Sequence, residues 1–243
     1  PSVLVFSKTN SFRNADGIKG GAAAIHDMAA RKNWGVYHTE NGAVFNAKSL
    51  ALFDVVVFLH ATGDMLSETQ EAAFQTWLAS GGGWLGIHAA GDGSQNEWQW
   101  YRDNLIGAEF TAHPMGPQFQ TATVVMENRD HPVIAGVAKT WIHEDEWYSW
   151  EHSPRVAGFN ILATLDESSY SPMVKFLGQS KDLRMGDHPV IWTACIDSGR
   201  SVYMAMGHTE ASYQSSEFRL IIDNALGWLQ GKNGGEVACL SGR

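Results

Sequence analysis

Cysteine is scarce: only Cys195 and Cys239 occur among 243 residues. Two cysteines make no disulfide framework and neither has the spacing of a zinc knuckle, although one Cys195–Cys239 bridge could form in an oxidising compartment. Positive charge is also short, with 17 Lys and Arg against 26 Asp and Glu and a net charge of -9. Nucleic acid and anionic membrane surfaces attract basic patches, so neither is an expected partner. No apolar run reaches the roughly 18 residues of a membrane-spanning helix. There is no repeat, no low-complexity tract and no linker long enough to split the fold. An initiating Met is missing as well, since the chain starts at Pro1. A trimmed amino terminus is therefore expected, and a periplasmic or secreted location is favoured over a cytoplasmic one.

What is abundant is apolar and aromatic. An apolar fraction of 44% excludes a disordered chain. The length suits one large α/β domain, expected over residues 1–231, with 232–243 as a tail. Ser2–Ser7, Gly35–Thr39, Asp54–His60 and Trp84–His88 read as strands, and the continuous apolar run after Asp54 is that of a strand buried on both faces. Gly17–Lys32 reads as a helix. A second begins at the capping box Ser67-Glu68-Thr69-Gln70 and stops at Gly81–Gly83. This alternation predicts βαβ units and a parallel sheet flanked by helices. Asn96–Ile106 reads as a further helix, Gln120–Glu127 and Gly158–Leu165 as strands. Val190–Ile196 and Ser201–Met206 flank a hairpin turn, and Ser215–Gln230 closes the chain as an amphipathic helix.

Gly81–Gly93 carries most of the functional signal. Gly86-Ile87-His88-Ala89-Ala90 has the form of a nucleophile elbow, in which small neighbours let one side chain stand on a strained strand-to-helix turn. The tip holds His88 where Ser or Cys would be usual. An imidazole serves as acid/base or metal ligand more often than as a nucleophile. The stretch also reads as a Gly-rich strand end with an incidental histidine.

Open α/β sheets bind ligands beyond the carboxyl ends of their strands, and polar residues recur there. Arg13 follows the first strand, His60 the third, His88 and Asp92 the fourth, and His208 and Glu210 the last. His113 sits before Pro114, His188 before Pro189, and Glu144–Glu146 packs three carboxylates beside Trp147 and Tyr148, a segment that also reads as a solvated acidic turn. His88, Glu146 and His208 are candidate catalytic residues. Arg13, His60, Asp92, Trp147, Tyr148 and Glu210 are candidate substrate contacts. His88, His113, His208 and His188 are candidate ligands for a divalent metal such as zinc, although no His-x-x-x-His pair supports it. Metal-free acid/base work fits the same residues. His26, His38, His131 and His152 read as structural or surface residues. Trp98, Trp100, Trp141, Trp147 and Trp150 could stack sugar rings, with core packing expected for at least half of the ten tryptophans.

Phe53–Phe58, Gly81–Ala90, His113-Pro114, Arg129-Asp130-His131-Pro132, Asp145–Tyr148, Asp187-His188-Pro189 and Gly207–Glu210 occur in an order that resembles ThuA-like proteins, the trehalose utilization family, from about residue 3 to 230. The resemblance implies a flavodoxin-like parallel sheet flanked by helices, similar to class I glutamine amidotransferases, with a β-hairpin added. Those enzymes carry a catalytic Cys at the elbow, so His88 argues against glutaminase activity. Where the family usually shows Arg-His in the first loop, this chain has Arg13-Asn14, and any proton shuttle there is lost. The resemblance also implies processing of trehalose or a related 3-keto glycoside by acid/base chemistry, as a lyase, hydrolase or isomerase, with functional pairing to a sugar dehydrogenase. The partner is then a small sugar, and a homo-oligomer is compatible with the sequence. A non-catalytic sugar-binding module and a metal-dependent hydrolase of another substrate remain as alternatives.

Overall fold

The computed structural model describes residues 1–231, so the expected tail and Cys239 lie outside the described residues. The strands are β1 (Ser2–Phe6), β2 (Gly35–Thr39), β3 (Val55–Leu59), β4 (Gly83–Ile87), β5 (Phe110–Ala112), β6 (Phe119–Met126), β7 (Thr140–Glu146), β8 (Ser149–Trp150), β9 (Asn160–Asp166), β10 (Met173–Phe176), β11 (Gln179–Asp182), β12 (Pro189–Ile196) and β13 (Gly199–Met204). The helices are α1 (Ala15–Lys32), α2 (Ala47–Leu50), α3 (Glu68–Ala79), α4 (Gln99–Tyr101) and α5 (Ser216–Leu229).

One nine-stranded sheet runs in the order β2-β1-β3-β4-β13-β12-β9-β6-β7. Its first five strands are parallel and the rest antiparallel. β3 and β4 are buried at every position, as continuous apolar runs demand between two helical layers. α1 packs beside α5, and α2 beside α3. The expected flavodoxin-like parallel core with an added hairpin is therefore what forms, the hairpin being β12–β13 with Asp197-Ser198 at its turn.

Three expectations are corrected. The single helix over Asn96–Ile106 is a short α4 followed by a π turn, Arg102–Ile106, because Gly107 takes φ +70° and donates to the Arg102 carbonyl at 2.7 Å. Phe159 fills the space beside Gly107 that a helical side chain would need. The acidic segment Glu144–Glu146 is no solvated turn: it ends edge strand β7, whose burial alternates along Trp141, His143 and Asp145. Trp98, Trp141, Trp147 and Trp150 are buried, and Trp100 packs against Phe74.

Sheet curvature decides where the site forms. β7 lies five strands from β4 in the hydrogen-bonded order, about 24 Å in a flat sheet. Yet Glu146, at the end of β7, is 3.1 Å from His88 at the end of β4. The antiparallel half must therefore curl back over the carboxyl edge of the parallel half.

Candidate active site

β3 and β4 pair in register to Leu59↔Ile87, and each then delivers a histidine in the left-handed region, His60 at φ 51° and His88 at φ 50°. A branched or bulky side chain there is strained, a cost of order 1–3 kcal/mol that recurs at functional sites. The tight turn also needs Gly86, since a methyl there would meet the Trp84 ring at 2.3 Å. Two contacts fix His88. Tyr203 donates its hydroxyl to the His88 carbonyl at 2.6 Å, and the Tyr148 ring lies 4.2 Å from the imidazole. His88 Nδ1 lies 3.2 Å from the Ala205 carbonyl, which can only accept. Nδ1 therefore carries the proton, and Nε2 is left to face the site.

His208 arrives from the segment beyond β13. Its backbone N–H and that of Gly207 donate to the Asp145 carboxylate at 3.0 and 2.7 Å. His143 Nε2 donates to the same carboxylate at 3.2 Å, and Glu146 N–H does so at 2.9 Å. Asp145 thus clamps two chain segments and aims their side chains. The outcome is a triangle of three ligand atoms: His88 Nε2 to His208 Nδ1 is 2.9 Å, His208 Nδ1 to Glu146 Oε2 is 3.0 Å, and His88 Nε2 to Glu146 Oε2 is 3.1 Å. Among the described residues this is the one group of three such side chains focused tightly enough for a metal ion. Three lone pairs aimed at one point repel, so protons or a cation must sit among them.

The charges follow. Burial favours neutral His88, but hydrogen bonding and charge from Glu146, with Asp145 adding, more than offset it and raise the pKa. Burial acts against the Glu146 carboxylate too, yet His208 and His88 hold it far below the usual carboxylate range. Asp145 is likewise opposed by burial and brought down to about 2 by His143 and His88.

A cavity of about 560 Å³ opens on this triangle, lined by Phe12, Asn14, Phe110, Met115, Tyr148 and Val174 among others. His113 lines it too, with Nδ1 3.0 Å from the Pro114 carbonyl and 3.3 Å from Glu146 Oε1. Gln118 donates to Glu146 Oε1 at 2.5 Å. Glu146 therefore turns one oxygen to the triangle and the other to His113.

His88, Glu146, His208, His113, Asp92 and Tyr148 all line this cavity. The other expected residues lie elsewhere. His60 is fully buried behind His88, 3.0 Å from the Gly207 carbonyl and 3.2 Å from the Tyr213 hydroxyl, so it meets no ligand. Burial, then the charges of His88 and His208, push its pKa well below the usual value. Arg13 pairs with Glu40 and Glu210 with Lys19, both at the surface. Trp147 is buried, its indole N–H given to the Gln120 carbonyl at 2.7 Å, so the expected aromatic wall is Tyr148 without Trp147. His188 does not join the triangle: it bonds Glu167 and the Tyr148 carbonyl, both at 2.8 Å, and supports Tyr148 from behind. Asn14, Gln118 and Asp145 went unassigned in the sequence. Asn14 had a visible signal as a helix cap: it accepts from Gly17 N–H at 2.9 Å and ties α1 to the His208 carbonyl at 2.8 Å.

No helix among the described residues is long and apolar enough to cross a membrane. The family model for ThuA, trehalose utilisation, matches residues 2–229. Among solved structures, a putative ThuA-like protein from Bacteroides uniformis ATCC 8492 is 24% identical with a TM-score of 0.79, covering 94% of this chain and 90% of that one. A putative ThuA-like protein from Parabacteroides merdae ATCC 43184 is 15% identical with a TM-score of 0.73, covering 97% and 92%. A β-galactosidase from Bacillus circulans sp. alkalophilus shares the fold at 14% identity and a TM-score of 0.56, covering 94% of this chain and 31% of that one. No curated protein sequence matches the chain.

Proposed function

The chain belongs to the ThuA trehalose utilisation family, and on that premise we propose that it processes a 3-keto glycoside by acid/base chemistry, with a divalent metal such as zinc held by His88, His208 and Glu146. The observation that carries this is the triangle of His88 Nε2, His208 Nδ1 and Glu146 Oε2, with edges of 2.9, 3.0 and 3.1 Å. Two imidazole nitrogens and one carboxylate oxygen converging on one point are a donor set whose chemistry fits a divalent cation. His88 also has the outer contact of a metal-bound imidazole, its Nδ1–H on a backbone carbonyl.

An ion held by His88, His208 and Glu146 would supply Lewis-acid polarisation of a ketone oxygen. The protein does the rest. A ketone at C3 acidifies the proton on C2. His113 donates from Nδ1 to the Pro114 carbonyl, which leaves its Nε2 lone pair to take that proton. The Glu146 carboxylate, 3.3 Å from that Nδ1, favours the imidazolium that forms. Phe12, Phe110 and Tyr148 give the sugar ring apolar faces on which to rest. The enolate then either expels the glycosidic oxygen or is reprotonated, giving a lyase, hydrolase or isomerase outcome.

Protein purified without chelator should carry about one divalent ion per chain, and His88→Ala should lose it. Supplied with 3-keto-trehalose, the metal-loaded protein should exchange the C2 proton into heavy water, at a rate about a hundredfold lower in His113→Ala. Absence of bound metal and of exchange would overturn the proposal. If the sugars still bound, a non-catalytic sugar-binding module would replace it.

A further inference from the structure

A second cavity, of about 780 Å³, lies next to the first. It is built from the segment that follows the elbow. The turn His88–Gly91 carries the chain to Asp92, whose N–H closes on the Ala89 carbonyl at 3.2 Å. Ser94 N–H then donates to Asp92 Oδ1 at 2.9 Å and its hydroxyl holds the same oxygen, fixing the carboxyl group. Asn96, Gln99, Arg102, Asp103 and His152 line the second cavity. Asp92 and Phe110 line both cavities, so these two side chains form the boundary between them.

The two spaces differ in chemistry. The first surrounds the His88–Glu146–His208 triangle with apolar side chains. The second presents amides, a guanidinium and carboxyl groups, with Gln99 linked to both Arg102 and Asp103. Dense alternation of donors and acceptors is what a polyhydroxylated molecule needs to replace its water shell.

We propose that the second cavity holds the leaving unit of the substrate, a polyhydroxylated alcohol such as a second sugar, and that Asp92 at the boundary is the acid that protonates its oxygen. This rests on the sugar-processing reading above. The base takes the C2 proton, and the electron pair of that C–H bond becomes the C1–C2 double bond as the C1–O bond breaks. The leaving oxygen keeps the C1–O pair and takes the proton from the Asp92 carboxyl group, so a neutral alcohol departs into the second cavity. Burial supports the assignment, since it raises the Asp92 pKa above the usual value, against the hydrogen bonds of Ser94.

Two variants of the metal-loaded protein test this. Ala157→Trp fills the second cavity from its rim, away from the triangle. It should lower kcat/KM for a 3-keto disaccharide at least tenfold more than for methyl 3-keto-glucoside. Asp92→Asn should slow the methyl glycoside about a hundredfold or more. It should leave the 4-nitrophenyl glycoside far less affected, because nitrophenolate departs without an acid. Equal effects of Ala157→Trp on large and small substrates would overturn the cavity assignment, and equal effects of Asp92→Asn on poor and good leaving groups would overturn the acid. Should no 3-keto glycoside react with the wild-type protein, the sugar-processing reading fails first. Calorimetry with trehalose and methyl glucoside then decides the cavity alone: selective loss of trehalose binding in Ala157→Trp supports it, and unchanged trehalose binding overturns it.

Discussion

A single hydrogen atom on Gly17 sets how closely α1 can approach the site. A methyl group there would stand 2.4 Å from His60 Nε2 and 2.8 Å from the His208 carbonyl oxygen, with backbone on one side and a fully buried ring on the other. Neither neighbour can yield freely. Gly17→Ala should therefore cost about 1–3 kcal/mol in urea unfolding despite the better helix propensity of Ala, and should reduce metal content by moving His208. Gly227→Ala is the control. It lies in α5 with nothing within 4 Å of the added methyl, so it should be neutral or stabilising by up to about 1 kcal/mol. A Gly17→Ala variant as stable as wild type, with full metal content, would refute the close approach. Residues of this kind are invisible in sequence. Gly17 reads as an ordinary helix residue, and the reason it must be Gly lies on strands and loops far along the chain. His60 misleads in the opposite direction: it follows a strand as a ligand-binding residue would, and the fold turns it inward to brace Gly207 and Tyr213.

Among elements, those with a one-dimensional signal were legible. β1, β3 and β4 announced themselves as unbroken apolar runs, α3 by its capping box, and the β12–β13 hairpin by Asp197–Arg200. β7 was not, because the face it buries carries His143 and Asp145, and polar residues mark an inward face only when their partners are known. Those partners are the backbone N–H groups of Gly207 and His208. The loop between β6 and β7 allows a test at this scale. His131 is buried against Trp228 of α5 and accepts from Val133 N–H at 3.3 Å through Nδ1, which requires a neutral ring. Burial, with Arg200 adding, lowers its pKa from 6.5 to about 4. Between those values the unfolded chain takes up a proton that the folded chain refuses, so stability falls as pH drops from 6.5 to 4, by up to about 3 kcal/mol from this residue. His131→Asn should be less stable at pH 7, having lost the ring, but its urea midpoint should fall less between pH 7 and pH 5. A parallel fall in both proteins would rule out the neutral histidine.

The flavodoxin-like architecture does not fix the chemistry of the whole molecule, and the residues decide it. His88 stands at the elbow, and Cys195 lies in β12, away from it. An imidazole with Nδ1 held by a carbonyl and Nε2 in the triangle cannot serve as an acyl-transfer thiolate. No ammonia should be released from glutamine, and release abolished by Cys195→Ser would contradict this. The curl of the sheet has a further effect, on the order of folding. The triangle joins positions 58, 62 and 120 residues apart in sequence. A loop of that length gains nothing until both ends are anchored, so contacts of this kind close late, after the local βα units have formed. No contiguous stretch of this chain contains the three side chains in a usable arrangement, and no early intermediate can hold an ion there. Metal capture during refolding would thus follow completed topology, and would report when the last strand has swung home.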